Sequence, residues 1–150
     1  MGSKLSVLAA LATLAICAPS SAHHNPGVIF DLAQVVTVEG VVTRFNPGNP
    51  HVRIYFTRTD GVGPEGQEWM AEGGSRTVLL RRDWTQDMLK AGDAVTIVGH
   101  AARDAADPVV HMERLTLPDG RTVWAEDLPP PEALRALLER RVAGQGGAEQ

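Results

Sequence analysis

The sequence predicts an all-β domain with short helices, and three observations carry this prediction. The chain has 150 residues, enough for one domain with one modest core. Its 15 glycines and 10 prolines indicate frequent turns between short elements. Val, Ile and Thr recur in short segments where apolar and polar residues alternate, as expected of half-buried strands. This composition excludes a disordered chain and a disulfide-stapled miniprotein.

The first element predicted along the chain is a secretory signal. Lys4 precedes an apolar run that ends at Cys17, and this run is too short to cross a bilayer. Residues 20–22 are small and predict cleavage after Ala22, so that the mature chain begins at His23. We therefore expect a periplasmic or secreted protein with no transmembrane segment after cleavage.

Cysteine content and charge narrow the classes of ligand. Cys17 is the only cysteine and lies in the signal, so the mature protein has no thiol, disulfide or cysteine metal ligand. The signal contains one charged residue, Lys4, and its removal changes the formal net charge from −4 to −5. A negative charge together with export argues against a nucleic-acid partner. Tyr55 and Trp84 are the only candidates for base-stacking platforms.

Six strands are predicted in the mature chain. They cover residues 35–45, 51–59, 67–72, 94–101, 109–117 and 121–124. Gly40 is expected to bend the first strand, and Gly73 and Gly74 to end the third. In the second strand, Val52, Ile54 and Phe56 share one face, which we expect to pack in the core.

Two helices complete the prediction. Ser75 is placed to cap a helix over residues 76–82. A second helix begins at Glu132 after three prolines, and its apolar residues stand at helical spacing. These apolar residues are Leu134, Leu137, Leu138 and Val142.

The order of strands and helices favours a small OB-like Greek-key β-barrel, with a small β-sandwich as the alternative. A helix between the third and fourth strands is what favours the barrel. We assign residues 1–22 to the signal, 23–127 to the barrel, and 128–150 to a proline-led helix and flexible tail.

Several motifs follow one another in a fixed order: AHH at 22–24, NPHVRIY at 49–55, WMAEGG at 69–74 and GDAVTIVG at 92–99. With them the chain resembles a family of small secreted bacterial proteins classed only as a domain of unknown function. The resemblance covers about residues 22–124 and implies no activity. Members usually carry an aromatic residue before Asn-Pro-His, where this chain has Pro47 and Gly48.

His23 carries the strongest chemical prediction. Cleavage after Ala22 would let its α-amino group and imidazole Nδ1 chelate one metal ion, the arrangement called a histidine brace. Amine and imidazole nitrogens suit Cu(II). His51 or His111 could supply a further imidazole, and His24 offers a rival chelate through its preceding amide.

Each of these residues also has a plainer interpretation. His23 and His24 are also consistent with two exposed polar residues after a cleavage site. His51 could instead hold the preceding Asn-Pro turn by hydrogen bonding. His100 is expected to be solvated. Met112 is either a soft copper ligand or a core residue.

The predicted function is an exported, non-enzymatic binding module of unknown ligand, with copper as the candidate cofactor. One alternative is a copper-dependent redox enzyme that uses the same brace. Another is a metal-free adaptor that docks an envelope protein. No catalytic residue is predicted, because the mature chain has neither a cysteine nor a Ser-His-Asp order.

Overall fold

The structure is a computed structural model that describes residues 25–128, 130–133 and 135–136. The predicted signal and both His23 and His24 lie outside the described residues. Residues 131–133 and 135–136 are helical, while the greater part of the predicted C-terminal helix and the tail lie outside the described residues. Within the described ranges, no helix is long and apolar enough to cross a membrane.

Residues 26–124 contain six strands and two short helices, joined by turns and loops. The helices are a 3₁₀ helix at Pro26–Val28 and α1 at Arg76–Leu79. The strands are β1 (Phe30–Asn46), β2 (His51–Arg58), β3 (Glu68–Ser75), β4 (Ala94–Ala102), β5 (Val109–Thr116) and β6 (Thr122–Trp124).

The first five strands close into a β-barrel, as the sequence predicts. The sheet order is β3-β2-β1-β4-β5-β6, and an additional pairing between β3 and β5 closes the ring. This closing pair is parallel and sets Glu72 of β3 opposite His111 of β5. All other pairs are antiparallel. The barrel prediction is confirmed, and the sandwich alternative was wrong.

The barrel interior is apolar, and the face predicted for β2 is confirmed. Val52, Ile54 and Phe56 are 1%, 0% and 0% exposed. Tyr55 points to the opposite face, where the Arg44 guanidinium carbon lies 3.6 Å from its ring centroid. The alternation of β2 thus separates the core from a cation–π contact on the outer surface.

Two residues with functional interpretations belong to this core. Trp84 is buried, and its Nε1–H donates to the carbonyl of Trp124 at 2.7 Å. It cannot serve as a stacking platform, so that prediction was wrong. Met112 is also fully buried in the core cluster, which favours its core interpretation over a ligand role.

Several boundaries differ from the predictions for physical reasons. β1 starts earlier, at Phe30, because Phe30 pairs with Ala102 of β4. Its register shifts lie between Val42 and Arg44 against β2 and between Phe30 and Val35 against β4, rather than at Gly40. At Gly40, a Cβ atom would lie 2.5 Å from the Phe56 ring. The absence of a side chain at Gly40 therefore lets the Phe56 ring pack against the backbone of β1.

The segment from β3 to α1 also departs from the prediction. β3 runs through Gly73 and Gly74 to Ser75 instead of ending at the glycines. α1 ends at Leu79 rather than at residue 82, because the amides of Arg81 and Arg82 bond three residues back and tighten the chain into a turn.

Candidate functional site

A pocket of about 580 Å³ opens beside β3 and β5. This volume lies within the range of small-molecule sites. The pocket is bounded by an N-terminal segment before and at the start of β1, by parts of β2, β3 and β5, and by the segment after β6. Its lining residues are Asn25, Pro26, Val28, Ile29, Phe30, Leu32, His51, Glu72, Gly73, Gly74, His111, Glu126, Asp127 and Leu128.

His51 and His111, the two predicted ligands on the barrel, line this same pocket. His51 is the first residue of β2, and its Nδ1 lies 3.2 Å from the carbonyl oxygen of Gly73. When Nδ1 carries the proton and donates to this carbonyl, Nε2 is the unprotonated nitrogen. Metal-binding histidines usually have this arrangement, in which one ring nitrogen is fixed by a carbonyl.

His111 lies between two other rings. Its ring centroid is 5.3 Å from that of Phe30 and 6.4 Å from that of His100, both in stacked orientation. Burial lowers the pKa of His111, and the neighbouring His100 and His51 lower it further against the opposing effect of Glu72. The neutral imidazole, which is the form that binds metals, is therefore favoured.

His100 is partly exposed, as expected, and it also makes contacts within the barrel. It pairs across the strands with His111 and places Nδ1 3.3 Å from the carbonyl oxygen of Gln34. The antiparallel register of β4 and β5 sets the two histidines side by side.

Three carboxylate residues line the pocket, and two of them, Glu72 and Glu126, differ in their partners. Glu72 is paired with Arg53, whose Nε donates to Oε2 at 2.9 Å. Glu126 places Oε1 3.7 Å from Nε2 of His111. Burial raises the pKa of the Glu126 carboxyl, and the nearby Glu113 raises it further. Sequence reasoning missed Glu126, which stands in a short segment without periodicity between β6 and the final prolines.

The rim of the pocket is apolar. Val28 and Leu128 are 74% and 68% exposed, and Ile29 and Leu32 are exposed beside them. A site with a few imidazole and carboxylate groups below an apolar rim is the usual form of a ligand pocket.

The described residues alone do not make a complete metal centre. Among residues 25–128, 130–133 and 135–136, no group of three or more His, Cys, Asp or Glu side chains could hold a metal ion. The structure brings His51 and His111 to one pocket. The other two predicted ligands, His23 and His24, lie outside the described residues.

Comparisons with known proteins identify a family, but the description of that family names no activity. No curated protein and no solved structure matches the chain. A family model matches residues 10–109, which include β1 to β4 and the first residue of β5. Since this range covers more than half of the sequence, the chain belongs to the group described as Family of unknown function (DUF6152).

Proposed function

We propose that this protein is an exported, non-enzymatic module that binds copper at its processed N-terminus. In this proposal a signal is cleaved after Ala22, and His23 chelates Cu(II) through its α-amine and imidazole. His51 and His111 supply imidazole ligands from the barrel. The observation that carries the proposal is that these two histidines share one pocket with Asn25 and Pro26.

The length of the intervening chain supports this arrangement. Asn25 follows His23 by two residues and itself lines the pocket. Consecutive Cα atoms are about 3.8 Å apart, so the Cα of His23 cannot be more than about 8 Å from that of Asn25. An amine on residue 23 is therefore within reach of the pocket that contains His51 and His111.

The chemistry of the donor set favours copper. An amine and imidazoles are borderline nitrogen donors, for which Cu(II) has the highest affinity among the common divalent ions. The contact between Nδ1 of His51 and the Gly73 carbonyl orients that ring, and burial of His111 lowers its pKa and so favours its neutral form.

The test compares two N-termini on an otherwise identical protein. One sample begins at His23, as verified by intact mass and N-terminal sequencing, and the other carries a single alanine before His23. We expect the native start to bind one Cu(II) tightly and zinc more weakly, and the extended start to lose tight binding because its α-amine is displaced. Equal copper affinity in both samples would contradict the brace.

Two further measurements separate the roles within the proposal. His23→Ala should abolish tight binding, whereas His24→Ala should do so only if the rival chelate through the preceding amide is used. Copper-loaded protein with a reductant and oxygen should show no turnover above a copper-buffer control. Sustained turnover would instead favour a redox enzyme.

A further inference from the structure

Most of the exposed apolar side chains in the described part of the chain belong to the pocket of His51 and His111. Six large apolar residues are exposed in the described ranges, and four of them line this pocket: Val28, Ile29, Leu32 and Leu128. Single exposed apolar residues are ordinary on a protein surface, whereas a group of them around one pocket marks a binding surface. The rim is therefore suited to the apolar body of a ligand.

Two arginines hold the apolar walls of the pocket in place. At the N-terminal wall, Nε of Arg103 donates to the carbonyl of Gly27 at 2.9 Å, and its amide donates to the carbonyl of Ile29 at 2.9 Å. At the other wall, the Arg82 guanidinium donates to the three successive carbonyl oxygens of residues 126–128, at 2.6, 2.7 and 3.2 Å. Walls that are already positioned lower the entropic cost of binding a ligand between them.

The polar part of the lining is negatively charged. Of the described residues that line the pocket, three carry carboxylates, Glu72, Glu126 and Asp127, and none is a lysine or an arginine. Glu72 is paired with Arg53, and Oδ1 of Asp127 accepts a hydrogen bond from the Ser75 amide at 2.6 Å. In the described part of the chain, the Glu126 carboxylate has no arginine or lysine partner. A cation is the ligand charge that complements this lining.

Glu126 is the carboxylate best placed to pair with such a cation. Its Oε1 lies 3.7 Å from Nε2 of His111. Burial lowers the pKa of that ring and raises the pKa of the Glu126 carboxyl. A neutral imidazole leaves the carboxylate charge uncompensated, so a cation beside Glu126 would stabilise its ionised form. An ammonium group suits this position because it is a compact cation with three N–H donors.

We propose that the pocket binds a small aliphatic amine in its protonated form, with the ammonium group at Glu126 and the apolar body between the two walls. The pocket volume of about 580 Å³ lies within the range of sites for small molecules. The proposal does not rest on copper binding, because it uses only described residues and needs no metal. Copper binding and amine binding can therefore fail separately.

The ligand class is tested by calorimetric titration of the metal-free exported protein with hexylammonium, ethylammonium, 1-hexanol and hexanoate. We expect one hexylammonium to bind per protein. 1-Hexanol lacks the charge-assisted hydrogen bond and should bind at least about 10-fold more weakly, and hexanoate should be repelled. Ethylammonium has four fewer methylene groups, each of which contributes about fourfold in affinity when buried. It should bind at least about 100-fold more weakly.

The position of the ammonium group is tested with Glu126→Gln, and Glu65→Gln in an exposed loop is the matched control. Glu126→Gln should weaken hexylammonium binding by at least about 10-fold and leave the affinity for 1-hexanol nearly unchanged. The preference for hexylammonium over 1-hexanol is the decisive readout, because a general loss of pocket structure would weaken both ligands. Glu65→Gln should keep the wild-type preference.

The position of the apolar body is tested with the double variant Val28→Ser/Leu128→Ser. Both side chains are exposed, so the barrel should remain folded, as circular dichroism would verify. This variant should weaken hexylammonium and 1-hexanol by a similar factor of at least about fivefold, because both ligands lose apolar contact. Val62→Ser is the control, since Val62 is also exposed but does not line the pocket.

Each part of the proposal has its own contradicting outcome. Absence of saturable hexylammonium binding, or equal affinities for hexylammonium and 1-hexanol, would overturn the assignment of a cation site, and so would tighter binding of hexanoate. A Glu126→Gln variant that keeps the wild-type preference would overturn the position of the ammonium group. Unchanged affinities in Val28→Ser/Leu128→Ser would overturn the position of the apolar body.

Discussion

Two depressions of the barrel differ in how their polar groups are partnered. The second, of about 320 Å³, lies where β4 begins and β5 ends, and is lined partly by Lys90, Asp93, Asp119 and Arg121. Its polar groups bond to close sequence neighbours: the Asp93 carboxylate accepts from the Lys90 amide and that of Asp119 from the Arg121 amide. In such turns the carboxylates are hydrogen-bonded to the backbone of the turn itself, without a ligand.

The pocket of His51 and His111 is built in the opposite way. Its imidazoles and carboxylates come from β2, β3, β5 and the segment after β6, which are far apart in sequence, and an apolar rim surrounds them. Local bonding cannot explain why these side chains converge. The comparison shows that long-range convergence, rather than the number of charged residues, distinguishes a candidate site from a polar turn.

The largest expected effect tests whether only one depression binds metal. The double variant His51→Ala/His111→Ala should lose more than about 100-fold in Cu(II) affinity, the upper end of what losing a ligand's outer partner costs. Asp119→Asn in the second depression should leave Cu(II) affinity unchanged. A titration that shows equal losses in both would end the distinction between the two depressions.

A second prediction contrasts a glycine from each region. Gly74→Ala should lower the free energy of unfolding by about 1–3 kcal/mol, because the new methyl group would overlap Asp127 and the backbone of Glu126. Gly120→Ala should cost about 1–2 kcal/mol for a different reason, since Gly120 has a φ of 83°. Urea unfolding should show comparable losses, whereas only Gly74→Ala should weaken Cu(II) binding. Retained copper affinity in Gly74→Ala would show that the position of residues 126–128 does not affect the site.

A smaller effect is expected from the titration of His111 in the metal-free protein. Its folded-state pKa lies below the reference value of 6.5, so the unfolded chain binds more protons between the two values. The free energy of unfolding should therefore fall as the pH drops below 6.5 toward the folded pKa. Glu126 has the opposite shift, and its contribution is present below 4.5 and lost as the pH rises through its folded pKa.

This pH dependence is checked by urea unfolding at pH 7.5 and 5.5 in wild type and in His111→Gln. The variant should show a flatter profile because the titrating ring is gone, while Phe30, His100, His51, Glu72 and Glu126 still face the position. Parallel profiles would mean that His111 does not carry the effect.

The smallest effect belongs to the exposed pair in the second depression. Arg121 Nε and Asp119 Oδ2 lie 3.6 Å apart, and both side chains are more than half exposed. Arg121→Gln should change the free energy of unfolding by less than about 0.5 kcal/mol. A larger loss of stability, measured by thermal unfolding, would show that the Arg121 side chain contributes more than an exposed ion pair.

The barrel was predictable from sequence because its strands alternate. Val52, Ile54 and Phe56 alternate with residues of the opposite face. The buried face of β2 therefore follows from the two-residue period of a strand alone. The two site histidines were identifiable by residue type. Their common pocket depends on the parallel closure of β3 on β5, which no local pattern encodes.

Gly73, Gly74 and the segment after β6 show where such reasoning fails. Gly73 and Gly74 look like a strand end, but they continue β3 and allow residues 125–127 to approach. That role depends on contacts with a segment about fifty residues later in the chain. Glu126 was missed for the same reason, since it is meaningful only through its long-range partner His111.

The two walls of the pocket come from the opposite ends of the barrel sequence, residues 25–32 and 126–128. The first wall adjoins β1, which pairs with β4, and the second follows β6, which pairs with β5. Ligand binding is consequently linked to folding of the entire domain rather than to one hairpin. Saturating copper should raise the midpoint of global unfolding in proportion to the logarithm of its free concentration. It should also slow amide hydrogen exchange throughout the barrel, including in strands that never touch the ion.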